Sequence, residues 1–180
     1  MPPAIRRRLA ALVVCAALGA AAACAGPPPS PRQPALVTKV LDGDTIEVER
    51  GSRTERVRLI GVDAPEAHDS PKLDRLVARG LPQKEILARG RQATAFTRAQ
   101  LLSRRVELEL DIETHDRFGR LLAYVWLPDG TLFNATLLEA GQAQLLTIPP
   151  NVRYAERLVA SERAARQARR GLWAGPPFAR

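Results

Sequence analysis

The sequence predicts an α+β fold: a five-stranded antiparallel barrel of the OB type carrying about three helices. Three observations lead there. Apolar and polar residues alternate in short runs, as in Val106, Leu108 and Leu110 against Glu107, Glu109 and Asp111. Helical stretches fall between and after the strands, in the order three strands, helix, two strands, two helices. The chain has 180 residues, 46% hydrophobic and 26% charged, enough apolar material for one cored domain. Short antiparallel strands of this kind remove their exposed edges by closing into a barrel.

Each element has a local reason. Val37 to Leu41 and Thr45 to Glu49 read as strands flanking Asp42-Gly43, a dipeptide that favours a turn. Arg56 to Val62 is a third strand, reached through Gly51-Ser52. Pro71 to Arg79 has the pattern of a short amphipathic helix, followed by Gly80-Leu81-Pro82. Gln83 to Leu102 reads as a long helix with Pro82 near its start and Gly90 as an interior weak point. The Val106 to Asp111 alternation supplies the fourth strand. Leu121 to Leu127 is the fifth, ended by Pro128-Asp129-Gly130. Leu132 to Ala140 is a short helix stopped by Gly141. Val152 to Arg170 is the last helix, with Tyr154, Leu158, Ala165 and Ala168 on its apolar stripe. Gly171 stands where a C-cap glycine belongs, and Leu172-Trp173 is placed to dock back on the core.

The N-terminus has the pattern of an export signal: Arg6-Arg7-Arg8, an apolar run from Leu9 to Ala23, and small residues at its end. Two processing routes are open. Cleavage after an Ala-x-Ala such as Ala23-Cys24-Ala25 gives a secreted protein. Ala21-Ala22-Ala23-Cys24 alternatively resembles a bacterial lipoprotein box, which makes lipidated Cys24 a membrane tether. Residues 1–24 are therefore expected to be a signal peptide and 25–35 a Pro-rich, extended linker. A domain over 36–173 and a tail over 174–180 follow. The expected location is outside the cytoplasm, as a cell-envelope lipoprotein or a secreted monomer.

Residue types also exclude chemistry. The two cysteines, Cys15 and Cys24, both lie in the leader, so the domain holds neither a disulfide nor a thiolate metal site. His68 and His115 lack metal-ligand spacing. The net charge of +8 favours a polyanionic partner, and Arg6 to Arg8 carry three of those charges.

What remains is acidic and guanidinium chemistry. Asp42-Gly43-Asp44-Thr45 and Asp63-Ala64-Pro65-Glu66 put carboxylates on turns and strand ends, with Arg58 between them. His115-Asp116-Arg117-Phe118-Gly119-Arg120 adds a second arginine ahead of an apolar strand. Taken alone, each segment reads as a turn or a solvated strand end. Together they hold carboxylates for a hard cation, a carboxylate for a base, and guanidiniums whose forked geometry suits phosphate.

In order, Val40 to Thr45, Arg58 to Glu66, Gly90 to Phe96, Asp116 to Tyr124, Asn134 to Gly141 and the helix ending in Gly171-Leu172-Trp173 resemble the successive motifs of the staphylococcal nuclease (thermonuclease) family. The resemblance spans roughly Leu36 to Trp173. It implies a Ca²⁺ ion held by Asp44, Asp63 and the backbone carbonyl of Ala64. It further implies Glu66 as the general base and Arg58 and Arg120 as phosphate ligands. The implied reaction is attack of water on DNA and possibly RNA, leaving 3′-phosphate ends.

Two departures from that family stand out. The stretch from Ala67 to Arg89 is about a dozen residues longer than in the best-known member. Such an insertion either flanks the active site and changes substrate access or is a neutral surface loop. Thr147 and Pro149 also lie near positions where that member carries nucleotide-contacting tyrosines. Base stacking contributes about 1–3 kcal/mol per base, so phosphate contacts are expected to carry more of the affinity. The competing reading is a non-catalytic, membrane-tethered OB-fold module that binds nucleic acid or protein.

Overall fold

The computed structural model describes residues 31–175. The expected signal peptide, Cys24, most of the linker and the end of the tail lie outside the described residues. In chain order the elements are β1 (Gln33–Val40), β2 (Thr45–Arg50), β3 (Arg53–Leu59), β4 (Gly61–Asp63), α1 (Pro71–Ala78), α2 (Gln83–Leu101), β5 (Arg105–Glu109), β6 (Leu121–Trp126), α3 (Phe133–Glu139), β7 (Gln144–Leu146) and α4 (Ala155–Gln167). A 3₁₀ turn at Gly171–Trp173 follows. β1 begins at Gln33, ahead of Leu36 where the family resemblance starts.

Five strands close a barrel in the order β1-β2-β3-β6-β5. The expected barrel is present, with mixed rather than purely antiparallel pairing. β3 and β6 run parallel, and the other neighbours are antiparallel. The reason is geometric: a ring with an odd number of strands cannot alternate direction all the way round. Alternation of side chains fills the interior with Val37, Ile46, Val48, Val57 and Leu108, all fully buried. Burial of one such aliphatic side chain is worth about 1.5–3 kcal/mol.

Helices pack against the barrel, α2 on β1 and α3 on β6. Phe96 on α2 and Phe133 on α3 stack with ring centroids 6.4 Å apart. Asn134, buried on α3, donates from Nδ2 to the Ile60 carbonyl at 2.8 Å and accepts from the Val125 amide at 2.9 Å. It thereby ties the start of β4 to β6. On the other side Glu109 is buried, yet it accepts from Trp126 Nε1 at 2.8 Å and from the Tyr154 hydroxyl at 2.9 Å. These donors offset the cost of removing a carboxylate from water.

Several boundaries differ from the sequence reading. The expected strand from Arg56 to Val62 is two elements, because Gly61 turns the chain at φ +80° and lets β4 leave the barrel. A Cβ at Gly61 would meet Leu158 of α4 at 2.3 Å, so glycine is required there twice over. β4 pairs instead with β7, setting Asp63 opposite Gln144. At three residues β7 is too short to leave a periodic signal. The last helix is shorter than Val152 to Arg170, and Ala168 is exposed. Its left-handed exit residue is Arg169, at φ +50°, rather than the C-cap expected at Gly171. Gly171 serves a different purpose: it lies against Gly141, whose carbonyl accepts from the Leu172 amide at 2.8 Å. Leu172 docks as expected, 3% exposed.

Candidate active site

α2 is the platform on which two loops meet. Gly90, Ala93 and Thr97 fall on one helical stripe, and all are buried. A Cβ at Gly90 would stand 2.1 Å from the Glu66 carbonyl oxygen. Gly90 is therefore the seat of the Glu66 backbone, a role that offsets its poor helix propensity. Ala93 touches the first acidic turn: a Cβ at Gly43 would meet the Cβ atoms of Ala64 and Ala93, each at 2.7 Å. The Thr97 hydroxyl donates to the Gly43 carbonyl at 2.7 Å. Small residues on α2 thus bring Gly43, Ala64 and Glu66 together from two separate loops.

Asp44, 6% exposed, is held from all sides. Its Oδ2 accepts from the Ala64 amide at 2.6 Å and lies 2.9 Å from Arg58 Nη1. Its Oδ1 accepts from the Thr45 hydroxyl at 3.1 Å. Burial alone would raise the Asp44 pKa, but the Arg58 guanidinium and the Ala64 amide hold it below the ordinary carboxylate value. Asp42 moves the other way. Burial and then the charge of Asp44 push it up to about 7.

Arg58 spans both aspartates. Besides Asp44, it donates to the Val62 carbonyl at 2.9 Å and to Asp63 Oδ1 at 3.1 Å. Arg120 reaches this region through strand register. Leu122 pairs with Arg58 across the parallel β3–β6 contact, and Arg120 precedes Leu122 by one pleat on the same face. Arg58 and Arg120 line one cleft. Within it Arg120 is oriented by Asp116, which accepts from its Nε at 2.7 Å and from its amide at 3.0 Å. Burial raises the Asp116 pKa; the hydrogen bonds from Arg120 and the Phe118 amide together with the Arg120 charge outweigh it and set the pKa below the ordinary value.

The structure thus brings Asp44, Arg58, Asp63, Ala64 and Glu66 into one cluster and sets Arg120 across the adjoining cleft. Among the described residues, no three His, Cys, Asp or Glu side chains gather as a metal site. The expected donor set is different in kind, being two carboxylates and a main-chain carbonyl. One observation bears on its fit to a cation. The Lys72 ammonium on α1 lies 2.8 Å from Asp63 Oδ1 and 2.8 Å from the Ala64 carbonyl, with Glu66 Oε1 at 3.1 Å. A positive charge already rests on these oxygens, so their placement suits one.

Lys72 carries no signal in sequence, because it belongs to none of the matched motifs. The cleft holds two more residues not singled out before, Phe118 and Ile148, 69% and 59% exposed. Phe118 offers an aromatic face beside Arg120 although Thr147 and Pro149 supply none. His68 and His115 are exposed.

Comparison with known proteins decides the family. The model described as "Staphylococcal nuclease homologue" matches residues 56–175. The chain is 38% identical over 138 residues to the thermonuclease of Staphylococcus intermedius, covering 77% of this chain and 74% of that protein. The chain belongs to the staphylococcal nuclease family. It is 34% identical to the thermonuclease of Staphylococcus hyicus, over 76% of this chain and 73% of that one. Endonuclease YncB of Bacillus subtilis is 30% identical over 75% of this chain, which spans 59% of YncB. As a member of the staphylococcal nuclease family the protein is a hydrolase of phosphodiester bonds, and nucleic acid is its substrate.

Proposed function

We propose that this nuclease is calcium-dependent, cleaves DNA and also RNA, and leaves 3′-phosphate ends. The observation that carries the proposal is that Asp63 and the Ala64 carbonyl already hold the Lys72 ammonium, with Asp44 fixed beside them through the Ala64 amide. Hard oxygen donors of this kind suit Ca²⁺, which takes about six to eight of them. When bound there, Ca²⁺ would act as a Lewis acid toward a non-bridging phosphate oxygen.

The protein's own groups supply the rest. Glu66, 25% exposed at the rim, takes the proton of the attacking water. Its backbone is held by Gly90, so the carboxylate is aimed from a fixed loop. Arg58 and Arg120 approach the phosphate from one cleft. Their guanidiniums match the charge that grows on its oxygens as the bond to the 5′ oxygen breaks. Phe118 provides a surface for a base without reading its identity, in keeping with broad sequence tolerance.

The leader supports export, with Cys24 lipidated or the chain freely secreted. No helix among the described residues is long and apolar enough to cross a membrane.

Digestion of single- and double-stranded DNA and RNA tests the proposal, followed by polymerase extension of the products. Extension blocked until a phosphatase is added is the expected outcome. Ends that extend at once contradict the 3′-phosphate assignment. No cleavage under any condition supports the binding-module alternative.

A further inference from the structure

α1 belongs to the insertion after Glu66 and is fixed in place. Ser70 caps it, accepting from the Leu73 amide at 3.1 Å, and Pro71 occupies the first turn. Leu73, 1% exposed, packs with Ile86 of α2 in a small core of its own that Leu76, Leu81 and Leu87 flank. Lys72 immediately precedes that anchor, so the docked helix delivers its side chain to one place. That place is the Asp63 carboxylate and the Ala64 carbonyl, each 2.8 Å from the ammonium, with Glu66 beside it.

Three of the groups assigned to cation binding and water activation are therefore occupied by a cation of the chain itself. A Ca²⁺ ion bonds oxygen at about 2.3–2.6 Å. On the same two oxygens, Ca²⁺ and the ammonium would stand no more than about 5 Å apart, like charges in a partly dry site. The two occupants exclude one another. The lysine side chain has four rotatable methylenes. Its ammonium can withdraw while Leu73 keeps the helix docked.

We infer that Lys72 is a built-in competitor for the cation site, which holds Asp63, Ala64 and Glu66 in the metal-free enzyme and gives way when Ca²⁺ binds. The inference rests on the calcium reading above. It assigns the insertion a function: the inserted helix sets the calcium level at which the nuclease loads. The withdrawn ammonium remains at the mouth of a cleft also lined by Arg75 and Arg79, on the side where an anionic strand is attracted.

Calorimetric titration of Ca²⁺ into the wild type, Lys72→Met and Lys72→Gln tests this, with Arg75→Met as the control. Arg75 lines the same cleft and has the same charge. The expected result is a Kd at least tenfold lower for both Lys72 variants and less than threefold lower for Arg75→Met. The metal-free Lys72 variants should also melt at a lower temperature than the wild type, with Ca²⁺ raising their Tm by more. A Lys72→Met Kd within threefold of the wild type overturns the inference and leaves calcium dependence standing. Equal effects from Lys72 and Arg75 reduce it to general electrostatics and overturn it as well. No calcium binding by any of the proteins overturns the inference and the calcium reading together.

Discussion

Glu66 and Asp42 are both carboxylates, and their surroundings differ. Glu66 faces the rim, paired with Lys72 at 3.1 Å. Glu66→Gln keeps the shape and removes the base. Turnover should fall by about 10²–10⁴-fold while the circular dichroism spectrum and melting curve keep their form. Near-normal turnover would remove Glu66 from the mechanism. Asp42 is half-buried beside Asp44 and pushed up to about 7, from an ordinary value of 3.8. Between those values the folded protein binds more protons at this site than the unfolded chain does. Its contribution to stability is therefore present at low pH and is lost as pH rises through about 7. Asp42→Asn removes that loss. In chelator, urea unfolding should show the variant gaining on the wild type between pH 5 and pH 8; a difference independent of pH would contradict the assignment. The roles proposed for Asp44, Arg58, Asp63, Glu66 and Arg120 were legible because local motifs name them. Lys72 was not, since its partners lie on another loop and only the docking of α1 brings them together.

Among the elements, α2 bears most directly on activity. Its Gly90 reads in sequence as a weak point, because propensity counts only the helix and not what lies on it. Propensity alone says that Gly90→Ala stabilises by about 1 kcal/mol. The close approach of the Glu66 carbonyl says the opposite, since the added methyl must push that loop away. Overpacking of this kind costs about 1–3 kcal/mol. Gly90→Ala should unfold at lower urea and lose at least tenfold in kcat. A variant that is more stable with unchanged kcat would show that the loop is not seated there. β1, β2, β5 and β6 could be read directly, β2 and β5 from their clear alternation. The break at Gly61 could not, because a single glycine inside an apolar strand pattern does not announce the left-handed turn that it makes there. α1 was legible as an amphipathic helix, and its placement beside the site was one of two readings that the sequence left open.

Over the whole molecule, barrel closure does what no single motif can. The odd strand count forces one parallel pair, and that pair, β3 with β6, is the one that sets Arg120 beside the cleft of Arg58. The barrel and the order of its elements followed from alternation and turns. Which neighbours ran parallel followed only from closing the ring, though the odd count already required one such pair. The proposed site is a cation position at Asp44, Asp63 and Ala64, a base at Glu66 and two arginines for the phosphate. Its cation position is tested by the single-turnover rate of DNA cleavage as Ca²⁺ is varied, with wild type and Asp63→Asn compared. The expected rate rises from baseline with Ca²⁺, returns to baseline on chelation, and needs at least tenfold more Ca²⁺ in Asp63→Asn. A wild-type rate that is the same in calcium and in chelator would contradict the assignment.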